Sequence, residues 1–267
     1  MNEEWLFQRD AYLRRFSARV AAVTPTGVRL DRTAFYPTGG GQPSDTGTLH
    51  DSSAGVTWNV VAATKLDDGI DHTLEPSDPR PQPGSIVEGT IDWPRRYAHM
   101  RYHTLLHVLS GVVFQRYASG ISGGQIAVDG ARMDFALPEF SREVAGSLVE
   151  EVNRVAATPL SVAVRFVPRA ELARDPTLVR VAAELLPTVD PVRLIDIGGF
   201  DVQADGGTHV RSTGELGSAV VTRLENKGAR NKRLYVRLPA VEPPELGPNA
   251  GGPEGPRSGR PAEPRAL

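Results

Sequence analysis

The chain has 267 residues, 40% hydrophobic and 23% charged, with 30 basic residues against 32 acidic ones and no cysteine. That length fits one large or two modest domains, and the formal charge of -2 excludes a strongly basic nucleic-acid coat while leaving room for a local RNA-binding patch. The cysteine count excludes disulfides, thiolate metal sites and a cysteine nucleophile. Met1–Asp10 lacks the basic segment and apolar core of a signal peptide, and the apolar stretch at Val108–Phe114 is too short to span a bilayer. A cytoplasmic protein without membrane association is expected. Only Lys65, Lys227 and Lys232 are lysine; the other basic residues are arginine in an alanine-rich chain, so the lysines carry more information than the arginines.

In chain order, Leu13–Val23 alternates as a strand, Thr24–Gly27 is a turn and Val28–Leu30 restarts a strand. Phe35–Gly47 is a loop rich in glycine and proline, followed by short strands at Thr48–Leu49, Val56–Thr64 and Ser85–Ile91. Many short strands with Gly/Pro turns predict a small β-barrel or sandwich over residues 1–92. At Asp92-Trp93-Pro94 the period changes. Tyr97, Leu105, Val108, Leu109, Val112, Val113 and Tyr117 recur at helical spacing, with Asp92 as cap and Pro94 in the first turn. Ser119–Gly124 ends that helix, and Gln125–Phe135 reads as a single strand. A second helix follows over Ser141–Ala156, then a strand at Leu160–Val167 and a mixed stretch, Arg169–Leu186, with a short helix or two. Val192–Ile197, Ser218–Asn226 and Arg233–Leu238 complete the strands, making residues 93–238 an α+β domain. Residues 239–267 are Pro/Gly-rich without apolar periodicity and are expected to be disordered.

The sharpest chemical feature is His103-Thr104-Leu105-Leu106-His107, because residues four apart share a helix face and two imidazoles there can converge on one metal. A zinc peptidase would have glutamate directly after the first histidine; here it is Thr104. About a hundred residues later, Asp205-Gly206-Gly207-Thr208-His209 places two more possible ligands four apart. His103, His107, Asp205 and His209 together form a set of three imidazoles and a carboxylate that suits zinc and, less well, other divalent ions. The loop Tyr36–Gly47 contains Gly39-Gly40-Gly41-Gln42 but lacks the lysine of a phosphate-binding loop and any dinucleotide spacing; it is either a functional loop or a tight link between strands. Arg223–Arg233 gathers Lys227, Arg230 and Lys232 on a hairpin that either tracks a phosphate backbone or is a solvated turn. Arg95, Arg96, His99 and Arg101 add positive charge just before the histidine pair, a candidate basic rim.

Together these features resemble the stand-alone alanyl-tRNA editing proteins, the AlaX family, related to the editing domains of alanyl- and threonyl-tRNA synthetases. The motifs are His103–His107, the stretch Asp205–Val210 in place of the family's CGGTHV, the glycine-rich stretch Tyr36–Gly47 of the longer members, and the flanks Ile197–Ala204 and Thr213–Gly217. The likeness covers about residues 5–238. It implies an N-terminal barrel followed by an α+β metal-binding editing domain. The implied activity is ATP-independent hydrolysis of the ester joining a wrong amino acid, serine first and glycine second, to tRNA-Ala held by its acceptor arm. Gln42 is the candidate for contact near the amino acid, with Thr104 and Gln125 as weaker candidates. One divalent ion per chain is expected at His103, His107, Asp205 and His209. It is zinc in the family, with manganese or iron admitted because a carboxylate is harder than thiolate. A tRNA-binding module with a decayed site, and a deacylase for another mischarged tRNA, are the alternatives.

Overall fold

The computed structural model describes residues 3–137, 140–172, 190–226, 228 and 232–245. Eight strands open the chain: β1 (Glu4–Trp5), β2 (Arg15–Val23), β3 (Gly27–Leu30), β4 (Arg32–Thr33), β5 (Gly47–Asp51), β6 (Val56–Leu66), β7 (Gly69–Leu74) and β8 (Ile86–Ile91). Six of them close into a barrel in the order β2-β3-β7-β6-β5-β8, while β1 pairs parallel with β4. The alternation along β2 turns Phe16, Ala18 and Val20 inward against Leu30, Leu49, Trp58, Ile70 and Val87. Burying side chains of this size stabilises by about 1.5–3 kcal/mol each, and closure leaves the sheet no edge to aggregate. Strand β7 escapes the sequence pattern because a polar side chain, His72, takes a core-facing position between Ile70 and Leu74. The buried His72 faces the Thr33 hydroxyl through Nε2 at 2.7 Å and the Val28 carbonyl through Nδ1 at 3.2 Å.

The second half is built around α1 (Trp93–Tyr117). Asp92 caps it by accepting the Arg95 amide at 3.3 Å, Pro94 sits in its first turn, and Ala118 ends it in the left-handed region. After it come β9 (Ile121–Ile126), β10 (Ala131–Phe135), α2 (Arg142–Ala157), β11 (Val162–Val167), α3 (Arg169–Leu172), β12 (Val192–Ile197), β13 (Asp201–Ala204), β14 (Val220–Asn226) and β15 (Lys232–Arg237). They form two sheets, β14-β15-β10-β9 and β11-β12-β13. The single strand expected over Gln125–Phe135 is instead a hairpin, turned where the Ala127 amide donates to the Gly130 carbonyl at 2.8 Å. Most of α1 is buried, because α2, β9, β10 and β13 all pack on it. Its interior positions include His99 and the polar residues Arg96, Arg101, His103 and Thr104, the latter four each met by a hydrogen-bond partner. Among the described residues, no helix is long and apolar enough to cross a membrane.

The barrel and the second half share one interface. Asp45 and Arg96, both fully buried, pair across it; Arg96 also donates to the carbonyls of Ala11 and Ala34, and Asp45 accepts the Tyr36 amide. Gly41 lies against β9, its carbonyl accepting the Ile126 amide at 2.8 Å. A Cβ on Gly41 would fall 2.4 Å from the Gly124 carbonyl oxygen, and its φ of +80° belongs to glycine as well. Past β15 the chain stays in place. Arg101 donates to the Pro239 carbonyl at 3.0 Å and Arg14 to that of Pro244 at 2.5 Å, so residues 239–245 depart from the expected disorder. Residues 246–267 and most of the stretch expected to carry short helices, 173–189, lie outside the described residues.

Candidate metal centre

Helix α1 carries His103 and His107 one turn apart, and the β12–β13 hairpin delivers the loop Asp205–His209 onto that face. One ligand atom from each of His103, His107, Asp205 and His209 lies within 4.8 Å of all the others. The three imidazole centroids are 4.4 to 5.3 Å apart. Asp205 Oδ1 faces Nε2 of His103 at 3.5 Å and of His107 at 4.0 Å, while Oδ2 stands 3.0 Å from Nε2 of His209.

Each ring turns Nδ1 outward to a partner. The Thr208 amide donates to Gln42 Oε1 at 3.3 Å, which identifies that atom as the oxygen; His103 Nδ1, 2.8 Å from it, must therefore carry a proton and donate. Gln42 Nε2 donates onward to Thr208 Oγ1 at 2.9 Å. His107 Nδ1 donates to the Asp201 carboxylate at 3.3 Å. His209 Nδ1 meets Thr104 Oγ1 at 3.1 Å, and the same hydroxyl accepts the Val210 amide. Nε2 of each ring faces the aspartate; for His103 and His107, whose Nδ1 donates outward, that leaves an Nε2 lone pair free for a metal. This outer support is what metal-binding histidines require. The Gly206-Gly207 turn is equally specific: a Cβ on Gly207 would lie 2.1 Å from His103 Cε1, so only glycine lets the loop pass over the ring. Burial pulls the His103 pKa down to about 4 and that of His209 well below its ordinary value, keeping both imidazoles neutral and able to act as ligands. Donor chemistry and convergence fit a divalent ion.

The other expected site residues divide. Gln42 and Thr104 join the site, but behind the histidines, both fully buried. Gln125 does not join it: its side chain is exposed and accepts from Arg132 Nε at 3.1 Å, because the β9–β10 hairpin turns it to solvent. Gly39, Gly40 and Gly41 form the turn that carries Gln42, closed by paired amide–carbonyl bonds between Gly39 and Gln42 and by the Tyr36 hydroxyl on the Gly39 carbonyl.

The expected basic rim is corrected in most of its members. Arg96 and Arg101 are buried, and their guanidiniums are spent on internal acceptors, Arg101 on the carbonyls of Glu215, Leu216 and Pro239. His99 is fully buried with a pKa lowered to about 3 by burial and the nearby Arg95 and Arg96, so it adds no charge. Arg95 remains half-buried, donating to the Ser44 carbonyl. Lys232 is buried at the start of β15, its ammonium donating to the Gly228 carbonyl at 3.1 Å, which removes it from an RNA-facing tip. Lys227 and Arg230 lie outside the described residues.

Three supporting residues went unassigned in the sequence: Asp201, Thr208 and Arg193. Arg193 did leave a signal, a cation in the apolar run Val192–Ile197.

A family described as threonyl and alanyl tRNA synthetase second additional domain matches residues 192–235, and one described as class II (A) tRNA synthetases matches residues 10–95. The alanyl-tRNA editing protein AlaX-M of Methanosarcina acetivorans is 39% identical over 244 residues, covering 88% of this chain and 98% of that protein. The protein of the same name in Saccharolobus solfataricus is 36% identical over 241 residues, with the same coverage. The alanine–tRNA ligase of Pyrococcus furiosus is 36% identical over 226 residues, which cover 82% of this chain and 24% of the ligase. With the barrel, the histidine pair and the glycine-rich loop in one chain, and relatives of this identity matched end to end, the chain belongs to the AlaX-M family of alanyl-tRNA editing proteins.

Proposed function

We propose that the chain is a trans-editing deacylase that hydrolyses the aminoacyl ester of mischarged tRNA-Ala, serine first and glycine second, at the centre formed by His103, His107, Asp205 and His209. The observation that carries this reading is the convergence of the four ligand groups, with Gln42 reaching from the barrel to hold His103. A divalent ion held there would polarise the ester carbonyl or activate water. An aminoacyl ester is already an activated bond, so the site needs no glutamate of the peptidase kind. The residues of this chain supply orientation: Gln42, Asp201 and Thr104 fix the rings, and Gly207 lets the ligand loop close over His103. We infer zinc as the resident ion, with manganese or iron admitted by the aspartate ligand, and the cytoplasm as its place of work. For the acceptor arm, Arg95, Lys227 and Arg230 are the proposed contacts.

Single-turnover deacylation of Ser-tRNA-Ala tests the reading, run as purified, with chelator, and with zinc or manganese restored. Rapid hydrolysis lost to chelator and recovered with metal is expected. Binding without hydrolysis under every metal condition would mark a decayed tRNA-binding module, and hydrolysis only of another mischarged tRNA would move the substrate.

A further inference from the structure

Arg193 lies within β12 at 6% exposure, in a strand otherwise dominated by Val192, Leu194, Ile195 and Ile197. Its Nε donates to the Gln8 carbonyl at 2.9 Å and its Nη1 to the Asp205 carbonyl at 2.8 Å, while the Asp205 amide returns a bond to the Arg193 carbonyl at 3.2 Å. Nη1 also stands 3.8 Å from Asp205 Oδ2. The two carboxylate oxygens are therefore unequal. Oδ2 accepts the Gly207 amide at 2.6 Å and faces both the guanidinium and His209 Nε2. Oδ1 faces, among the described residues, Nε2 of His103 and of His107.

We propose that Arg193 is a positioning residue for Asp205: it holds the aspartate's main chain and sets its charge beside Oδ2, which the Gly207 amide ties down, so that the aspartate offers a metal one oxygen, Oδ1. One oxygen and three imidazoles make the four-donor set that zinc favours, whereas a freed second oxygen raises the donor number toward what manganese prefers. A buried cation beside the carboxylate also weakens its donor strength, which a neutral side chain would not do. The inference rests on the metal-site reading above.

The test measures zinc and manganese binding by the full chain against a chromophoric chelator, in wild type, Arg193→Met and Arg193→Lys. Arg193→Met is expected to shift the manganese-to-zinc preference about tenfold toward manganese, the scale on which outer partners act on metal affinity. Arg193→Lys keeps the charge and is expected to hold that ratio within about twofold, even where its single ammonium cannot serve both carbonyls and lowers both affinities. Should the methionine variant fail to fold, Arg193→Gln, which keeps a donor and loses the charge, carries the same expectation. Equal weakening of both metals in the charged and neutral variants alike would overturn the proposal. A wild type that binds neither metal would overturn the metal site itself; a wild type that binds, with unchanged ratios in the variants, would overturn only the role of Arg193.

Discussion

Gln42 and His103 are 61 positions apart in the chain and meet at 2.8 Å, with the barrel loop supplying the acceptor and the core helix the imidazole N–H. The barrel thus completes the centre of the other half. Replacing Gln42 by alanine leaves His103 Nδ1 and the Thr208 amide without their shared acceptor. The expected outcome is a 10- to 100-fold loss of metal affinity, roughly the effect of removing an outer partner of a ligating histidine, with the fold retained. Chelator competition and circular dichroism on the same samples check it. Unchanged affinity would show that His103 is held by its packing alone.

The Asp45–Arg96 pair anchors the glycine-rich loop from the other side. Both side chains are fully buried, and Asp45 also holds the Tyr36 amide, so the turn that presents Gln42 hangs on this carboxylate. Asp45→Ala leaves the Arg96 charge uncompensated inside the interface. A loss of about 3–5 kcal/mol is expected, as for one partner removed from a buried ion pair. Thermal melts of the metal-free proteins measure it, and a change under about 1 kcal/mol would show that the carbonyls of Ala11 and Ala34 suffice for Arg96.

Acid sensitivity of the metal-free chain follows from its buried histidines, two of them, His72 and His99, outside the cluster of His103, His107 and His209. Burial lowers the His72 pKa to about 4, and burial with the neighbouring arginines lowers that of His99 to about 3, against an ordinary value near 6.5. Each is neutral in the folded state and takes up a proton on unfolding below about pH 6.5. Their contribution is thus fully present above that pH and is lost as pH falls toward the folded values, at about 1.4 kcal/mol per pH unit for each. Melting temperature of the metal-free chain should fall steadily from pH 7 to pH 5, and His72→Asn should flatten the slope. A slope unchanged in that variant would assign the effect to other groups.

What the sequence showed and what it hid divide along one physical line. Local periodicity exposed α1, α2 and the alternating barrel strands, and the four-residue spacing within each motif pointed to the four side chains that the fold brings into one cluster. Contacts across long stretches left no local trace. Nothing near Gln42 points to Thr208, 166 residues away, and nothing near Arg101 announces that it will be buried against the carbonyls of Glu215, Leu216 and Pro239. A cation's side chain reads the same in sequence whether it ends in solvent or on buried carbonyls, and Arg96 and Arg101 before His103 end on buried acceptors. Strand β7 failed for the complementary reason: Asp71 and His72 break the apolar pattern yet are both buried, on opposite faces of the strand, against the Thr26 and Thr33 hydroxyls.

Selectivity separates the roles of these residues most sharply. Ser-tRNA-Ala and Ala-tRNA-Ala differ by one hydroxyl, and a site built to hydrogen-bond that hydroxyl can favour it by roughly 10⁴-fold or more, whereas an apolar pocket alone discriminates weakly. Wild type is therefore expected to deacylate the seryl ester far faster than the alanyl one. Both polar residues nominated from the loop and the helix, Gln42 and Thr104, are already committed to His103 and His209 and are fully buried behind them. Acting through the ligands, Gln42 should support both substrates alike. Gln42→Ala is thus expected to slow the single-turnover rate on both esters by a similar factor and leave their ratio within about threefold, a difference of only about 0.7 kcal/mol in transition-state binding. A ratio that collapses toward unity in Gln42→Ala, with metal fully loaded, would instead place the Gln42 amide against the serine hydroxyl. Equal wild-type rates on the two esters would remove the editing function altogether.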